Sequence, residues 1–309
     1  LAVMTPSFAE LLLTDKSFNK ELLPKLNTII FCGEKLFNIT VEKLYERFKN
    51  IKIINSYGPT ECTFAVTSLE LTKDSVNENN IPVGRAKKDT NILIDAGLSG
   101  KRIITGLEEI NADIEKIKWI FITHEHSDHI KGAGILSRKL DIPIFANVKT
   151  WCAMKDKLGN IKEEHRKVFE NDKTYSIGDI GIKPFSIPHD SVDAVGYNLF
   201  SNKEKMSIAT DIGCITESIR QNLFDSKLVV LESNYDPNML MMGSYTYSLK
   251  RRVMSDYGHL SNEEAAKFCV ELINNNTESI LLAHLSKENN FPDLDFATSK
   301  NVLAKNDMI

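Results

Sequence analysis

Residues 122–132 read ITHEHSDHIKG, with three histidines and an aspartate inside positions 124–129. The whole chain has seven histidines in 309 residues, so nearly half of them crowd into one segment directly after the apolar run KWIFI. That run reads as a buried strand, and in an extended segment alternate side chains point the same way. The pattern therefore predicts that His124, His126 and Asp128 converge at a strand end, with His129 turned to the other side. Four ligand-type side chains this close suit two neighbouring metal ions better than one tetrahedral zinc.

A two-metal site needs further ligands, and several apolar runs end in suitable residues. FSIPH ends at His189, SIATD at Asp211 and ILLAH at His284, each carried to a sheet rim where loops build sites. His259 sits in YGHLSNEE, and only His165, in the polar KEEHRK, is assigned to the surface. Read singly, these histidines would be hydrogen-bonded polar residues, Asp211 a turn cap and Asp95 a turn residue before Gly97. The HxHxDH spacing changes that reading for all of them together.

Bulk composition excludes little. Hydrophobic residues make up 42% and charged residues 26%, and the formal charge of -4 gives no general case for polyanion binding. The longest apolar runs are too short to span a bilayer. The opening LAVMTPSF lacks signal-peptide features and does not begin with Met, so the true start is expected to lie upstream. Five cysteines without CxxC spacing fit a reduced, cytoplasmic protein.

Strand and helix signals divide the chain. In the first part, NTIIFCG (27–33) and IKIINSYG (51–58) read as strands and TVEKLYERF (40–48) as a helix, while Ser7 and Glu10 have capping-box spacing. KDSVNENN (73–80) reads as an exposed loop. From about residue 90 the pattern is longer. NILIDAG, IKWIFITH, IPIFA, DIGIKPFSIPH, VGYNLFS, KMSIATD, KLVVLESN and SILLAH read as strands, with helices at GAGILSRKL and SNEEAAKFCVELI. Strands with interleaved and late helices suit sheets covered by helices.

THEHSDH and the ordered series Asp95, His124/His126/Asp128/His129, His189, Asp211, His284 resemble the metallo-β-lactamase superfamily, whose α/β fold is an αββα sandwich. DAGLSGK, KRRVMSDYGHLSNEEAA and LAHLSKENN narrow the resemblance, from about Asn91 to the C-terminus, to the YycJ/WalJ-type phosphodiesterases, regarded as DNA exonucleases. The resemblance implies that His124, His126 and His189 hold one divalent ion, zinc or manganese. It implies that Asp128, His129 and His284 hold a second, that Asp211 bridges the two and that Asp95 steadies the ligand loop. Asp128 and Asp211 would position the attacking water, and His259 would assist the leaving oxygen. Such a pair of ions lowers the pKa of water between them and orients phosphate oxygens. Lys250, Arg251 and Arg252 precede His259; Arg251 and Arg252 are expected to contact a DNA backbone, against the plainer expectation of a solvated face.

INSYGPTE (54–61), with MTPSFAELLL and FCGEKL, resembles adenylate-forming enzymes, in particular the D-alanine–carrier protein ligases. The resemblance implies nucleotide contacts at Tyr57 and Glu61. Residues 1–90 lack a phosphate loop, a ribose-binding aspartate region and a catalytic-lysine domain, so they are expected to be a fragment without ligase activity. The crossover into the hydrolase, residues 91–309, is expected between Asp89 and Asp95, leaving the sandwich without its first hairpin. The leading expectation is a two-metal phosphodiesterase. The rivals are a small-molecule ester, lactone or thioester hydrolase of the same fold, and a non-catalytic fusion whose adenylation-like part binds a nucleotide.

Overall fold

Runs rich in β-branched and aromatic residues form the strands here, and capped amphipathic stretches form the helices. The computed structural model describes residues 2–31, 36–57, 67–71, 91–110, 112–177, 180–201 and 204–308. Two compact units divide them: one holds the first sheet with Thr105–Ile114, the other holds residues 91–104 and Glu115–Ile309.

The first unit contains β1 (Ala2–Met4), α1 (Pro6–Thr14), β2 (Thr28–Phe31), α2 (Asn38–Arg47), β3 (Lys52–Tyr57) and β4 (Thr67–Leu71). Its sheet runs β1-β2-β3-β4, parallel except for β4. Ile29, Phe31 and Ile53 of the strands and Val41 and Leu44 of α2 form its core with Phe48. The expected helix start at Ser7 is corrected. Thr5 is the cap, accepting from the Phe8 amide at 3.3 Å, and Pro6 occupies the first turn, where its missing N–H leaves nothing unpaired. Tyr57 closes β3, and Glu61 lies outside the described residues.

Along the rest of the chain run β5 (Asn91–Ile94), α3 (Gly100–Glu109), β6 (Ile117–Phe121), α4 (Ser127–Ile130), α5 (Ala133–Leu140), β7 (Ile144–Ala146), α6 (Val148–Met154) and β8 (Arg166–Val168). Next come β9 (Tyr175–Ile177), β10 (Ile180–Ser186), β11 (Val195–Ser201), β12 (Glu204–Ala209), α7 (Glu217–Leu223) and β13 (Leu228–Glu232). The chain finishes with α8 (Pro237–Met242), α9 (Tyr247–Val253), α10 (Asn262–Asn274), β14 (Ser279–Ala283) and α11 (Pro292–Lys305).

These strands build two sheets. One is β5-β6-β7-β8, all parallel, with β5 at its edge among the described residues. The other is β14-β13-β12-β11-β10-β9, antiparallel from β9 to β12 and parallel from β12 to β14. Their faces meet through an aromatic layer: Phe121 stacks on Phe145 at 4.5 Å and meets Tyr197 edge-on at 5.8 Å. The buried Tyr197 hydroxyl donates to the Ile122 carbonyl at 2.6 Å, so burial leaves its polar end satisfied and fixes the end of β6 against β11. On the outer face of the six-stranded sheet, α7 and α10 contribute Ile219, Leu223, Phe268 and Leu272 to a core with Phe185 and Val229. Ser261 caps α10, accepting from the Glu264 amide at 3.3 Å while its hydroxyl donates to the Glu264 carboxylate at 3.1 Å.

Candidate metal centre

Strand ends of both sheets meet at one rim, and three of them carry the same backbone signature. Asp95 after β5, Asp211 after β12 and His284 after β14 each adopt φ of 58°. A left-handed conformation is uncommon for non-glycine residues and persists where surrounding contacts over-determine it. At each of the three positions it turns the chain sharply off the strand, so the side chain stays at the rim.

The histidine segment departs from the extended geometry expected for it. It is extended only through His126, which caps α4, so Asp128 and His129 lie on a helical turn. The turn brings His129 back toward the cluster: its Nε2 is 3.3 Å from Asp211 Oδ2 and 3.9 Å from Asp128 Oδ2. The loop after β5 braces this turn. Ala96 N donates to the His129 carbonyl at 2.7 Å, and Gly132 N to the Ala96 carbonyl at 2.7 Å. A Cβ at Gly97 would stand 1.5 Å from the Asp128 carbonyl oxygen, so the close approach requires glycine.

His124, His129, His189, His259 and His284 each commit Nδ1 to the protein, which leaves Nε2 for the centre. His129 Nδ1 lies 2.7 Å from Asp95 Oδ2, and His189 Nδ1 is 3.2 Å from the Gly258 carbonyl. Asp95 also accepts from the amide and hydroxyl of Thr123, each at 2.8 Å, and that hydroxyl is 3.0 Å from His124 Nδ1. Asp95 thus orients two histidines and the loop between them without entering the centre itself. On the inner side, His126 Nδ1 is 3.0 Å from His124 Nε2 and 3.3 Å from His189 Nε2.

Glu232, at the end of LVVLE, was not singled out by the sequence. It is fully buried, and its Oε1 lies 2.8 Å from His259 Nδ1 and 2.6 Å from His284 Nδ1. Its Oε2 accepts from the amides of Ile212 and Leu260 at 2.8 and 3.1 Å. One oxygen is thus held by two backbone amides, while the other fixes two imidazoles with Nε2 free to face the centre. The available signal was a carboxylate closing an apolar strand, the same signal that marked Asp211. A buried amide layer stands behind it. Asn234 Nδ2 donates to the His284 carbonyl at 2.7 Å, Asn290 Nδ2 donates to the Asn234 carbonyl at 3.1 Å, and Ser233 Oγ donates to Asp295 Oδ1 at 2.5 Å.

Charge follows this geometry. Burial opposes a charge on His129, but the carboxylates of Asp211 and Asp95 outweigh it and push its pKa up to about 10. Burial likewise opposes a charge on His259, yet Glu232 raises it to about 9. Burial and the neighbouring His129 hold His124 well below the usual histidine range. For Asp211, burial favours the neutral acid, but the surrounding imidazoles, His284 and His129 first, hold it well below the usual carboxylate range.

Four donor sets arise: His124/His126/His189, Asp211/Glu232/His259/His284, His124/His129/Asp211, and Asp128/His129/His284, each with ligand atoms within 4.8 Å of one another. His129 Nε2 and Asp211 Oδ2 are buried without a hydrogen-bond partner among the described residues, although they face one another. Two orphaned polar atoms amid converging nitrogens and carboxylates are what a bound cation would satisfy. The mixed nitrogen–oxygen donors suit zinc or manganese.

The remaining predicted residues separate. Arg252 lines the cavity over the centre and pairs with Asp190, while Arg251 is exposed and outside that lining. Lys250 is spent on the end of α8, donating to the Met241 and Gly243 carbonyls at 2.7 and 2.8 Å. Cys214, three residues after Asp211, is half-buried. His165, assigned to the surface, is half-buried near Asp141 at 3.8 Å.

Two parts of the chain match known families. Residues 90–284 match the Beta-lactamase superfamily domain, and residues 1–100 match the AMP-binding enzyme family. The exodeoxyribonuclease YycJ of Bacillus anthracis is 39% identical over 225 residues, covering 73% of this chain and 84% of that protein. The exodeoxyribonuclease WalJ of Streptococcus pneumoniae serotype 2, strain D39, is 41% identical over 219 residues, covering 70% and 81%. The D-alanine–D-alanyl carrier protein ligase of Bacillus licheniformis is 45% identical over 111 residues, covering 33% of this chain but 22% of the ligase, so the chain spans about a fifth of its length. Among solved structures, zinc-bound PqqB from Methylobacterium extorquens shares the fold at a TM-score of 0.55 and 13% identity, covering 71% of this chain and 80% of that one. YhfI from Bacillus subtilis, a metallo-β-lactamase fold protein, does so at 0.53 and 19%, covering 69% and 81%. The fold works with divalent metal ions, and the chain is a hydrolase. The chain therefore belongs, through residues 90–284, to the β-lactamase superfamily and, within it, to the family of the exodeoxyribonucleases YycJ and WalJ.

Proposed function

We propose that this chain is a two-metal exodeoxyribonuclease that hydrolyses phosphodiesters at DNA ends in the cytoplasm, using zinc or manganese. The observation that carries the reading is the convergence of seven donors at one sheet rim. In this reading His124, His126 and His189 hold one ion and Asp128, His129 and His284 the other, with Asp211 between them. When bound, the ions supply a water of lowered pKa and neutralise developing charge on phosphate oxygens. Asp95 and Glu232 keep the ligand imidazoles of His129 and His284 in the tautomers that present a lone pair inward. Asp211 and Asp128 orient the attacking water. His259, tethered through Nδ1 to Glu232, offers only Nε2 to the cavity, where it can give a proton to the departing oxygen. Arg252 sits where it can meet a phosphate of the substrate strand.

Residues 1–90 are read as a fragment of a D-alanine–carrier ligase without adenylation activity, joined to the hydrolase, residues 91–309, near Asp89–Asp95. The two family matches overlap at this point, which supports the placement. Any contacts from Tyr57 and Glu61 are vestigial in this reading. The test is incubation of the full chain with end-labelled DNA and Mn²⁺ or Zn²⁺. Stepwise release of mononucleotides is expected, whereas turnover of a lactone or thioester with intact DNA would contradict the reading.

A further inference from the structure

The cavity over the metal centre has two unlike walls. One carries the imidazoles and carboxylates. The other comes from α9 and the residue before its cap: Tyr245, Leu249 and Val253, with Arg252 beside them. Leu249, Arg252 and Val253 are spaced i, i+3 and i+4, so they share one helix face. Val253 belongs to a small buried core with Tyr235 and Leu240, and Tyr245 and Leu249 pack against that core while still lining the cavity. The apolar wall is therefore braced from behind. The amide layer beneath it is pinned as well, since Asp236 N donates to the Asn289 carbonyl at 2.9 Å and Lys250 ties the end of α8.

Metal chemistry on a phosphodiester does not need an aromatic and aliphatic wall, because phosphate and sugar are polar. A flat, weakly hydrated ring attached to the reacting phosphate does. Arg252 adjoins the wall and is held toward the centre by Asp190, the neighbour of His189, so a cation borders the apolar surface on the metal side. The cavity volume of about 550 Å³ lies within the range of small-molecule sites and suits one nucleotide and not a duplex. We propose that Tyr245, Leu249 and Val253 form the subsite for the terminal nucleobase of the DNA strand, with Tyr245 as the stacking partner and Arg252 on the adjacent phosphate. This rests on the phosphodiesterase reading of the centre and adds a reason for attack at strand ends: the base must be unpaired to enter.

The test uses the full chain with Mn²⁺ and two sets of oligodeoxynucleotides, one natural and one carrying a tetrahydrofuran abasic residue at either end. Base–aromatic stacking predicts that the wild-type protein cleaves the abasic terminus about 5- to 150-fold less efficiently in kcat/KM. Tyr245→Phe should keep this discrimination, and Tyr245→Ala should reduce it to within about twofold. The wild-type comparison needs no variant and so stands even if Tyr245→Ala misfolds. Equal cleavage of both termini by the wild type, or undiminished discrimination by a folded Tyr245→Ala, overturns the subsite. Cleavage of neither set, with turnover of an ester bearing an apolar acyl group, overturns the nuclease reading itself and assigns the wall to that group.

Discussion

His284 Nδ1 lies 2.6 Å from Glu232 Oε1, the same oxygen that sits 2.8 Å from His259 Nδ1. One buried carboxylate therefore sets the tautomer of a proposed ligand and of the proposed proton donor. Glu232→Gln preserves size but puts an amide N–H₂ or a misdirected oxygen against these donors. If the amide oxygen serves the Ile212 and Leu260 amides, the N–H₂ forces both Nδ1 atoms to accept, and Nε2 of His284 then carries the proton where a lone pair is needed. Metal affinity and kcat/KM are expected to fall roughly 10- to 100-fold. Competition against a chelator checks the first and steady-state kinetics the second; unchanged affinity would refute the role.

Asp128→Ala separates chemistry from folding. The Asp128 side chain is 66% exposed, so its removal should change stability by no more than about 0.5 kcal/mol. Turnover should nonetheless fall roughly 100-fold or more, as expected when a positioning group is lost. Thermal melts with activity assays on the same preparation decide it, and retained turnover would exclude Asp128 from the site.

Gly97→Ala should act in the opposite way. The added Cβ would collide with the Asp128 backbone, and relieving the clash must move either the loop after β5 or the turn that carries His129. A loss of about 1–3 kcal/mol is expected, together with weakened metal binding. A variant with unchanged melting temperature and stoichiometry would show that this contact is not needed.

Asp295 gives the pH dependence of stability. Burial pushes its pKa up to about 7, despite the hydrogen bond from Ser233. The folded protein keeps this proton up to about pH 7, whereas the unfolded chain releases it near the ordinary carboxylate value. The folded state binds more protons across that window, so this residue's contribution falls as pH rises from about 4 to 7 and is fully lost above it. Asp295→Asn should remove that slope and be more stable than the wild type at pH 8. Denaturant unfolding at pH 5 and 8 tests this, and an unchanged slope in the variant would contradict it.

The cluster was legible in the sequence where candidate ligands follow apolar strands, because a buried strand must deliver its last residue to a rim. His189, Asp211 and His284 were found in that way. The same logic misplaced His129, since period-two alternation holds only to His126 and α4 then sets the direction. Glu232 stayed hidden because its partners lie 27 and 52 residues away: the pairing of β13 with β14 brings His284 to it, and the segment before α10 brings His259. Arg251 and Arg252 are equivalent as a sequence; the face of α9 separates them. The Ser7 capping signal lost to Thr5 because Pro6 fits the first turn.

Metal content tests the central claim most directly. The 309-residue chain freed of metal by chelation, then equilibrated with Mn²⁺ or Zn²⁺ and passed through a desalting column, should retain two equivalents per chain by elemental analysis. It should also melt at a higher temperature than the chelated form, because a ligand that binds only the folded state stabilises it. Retention of less than one equivalent, with no change in melting temperature, would contradict the two-metal account.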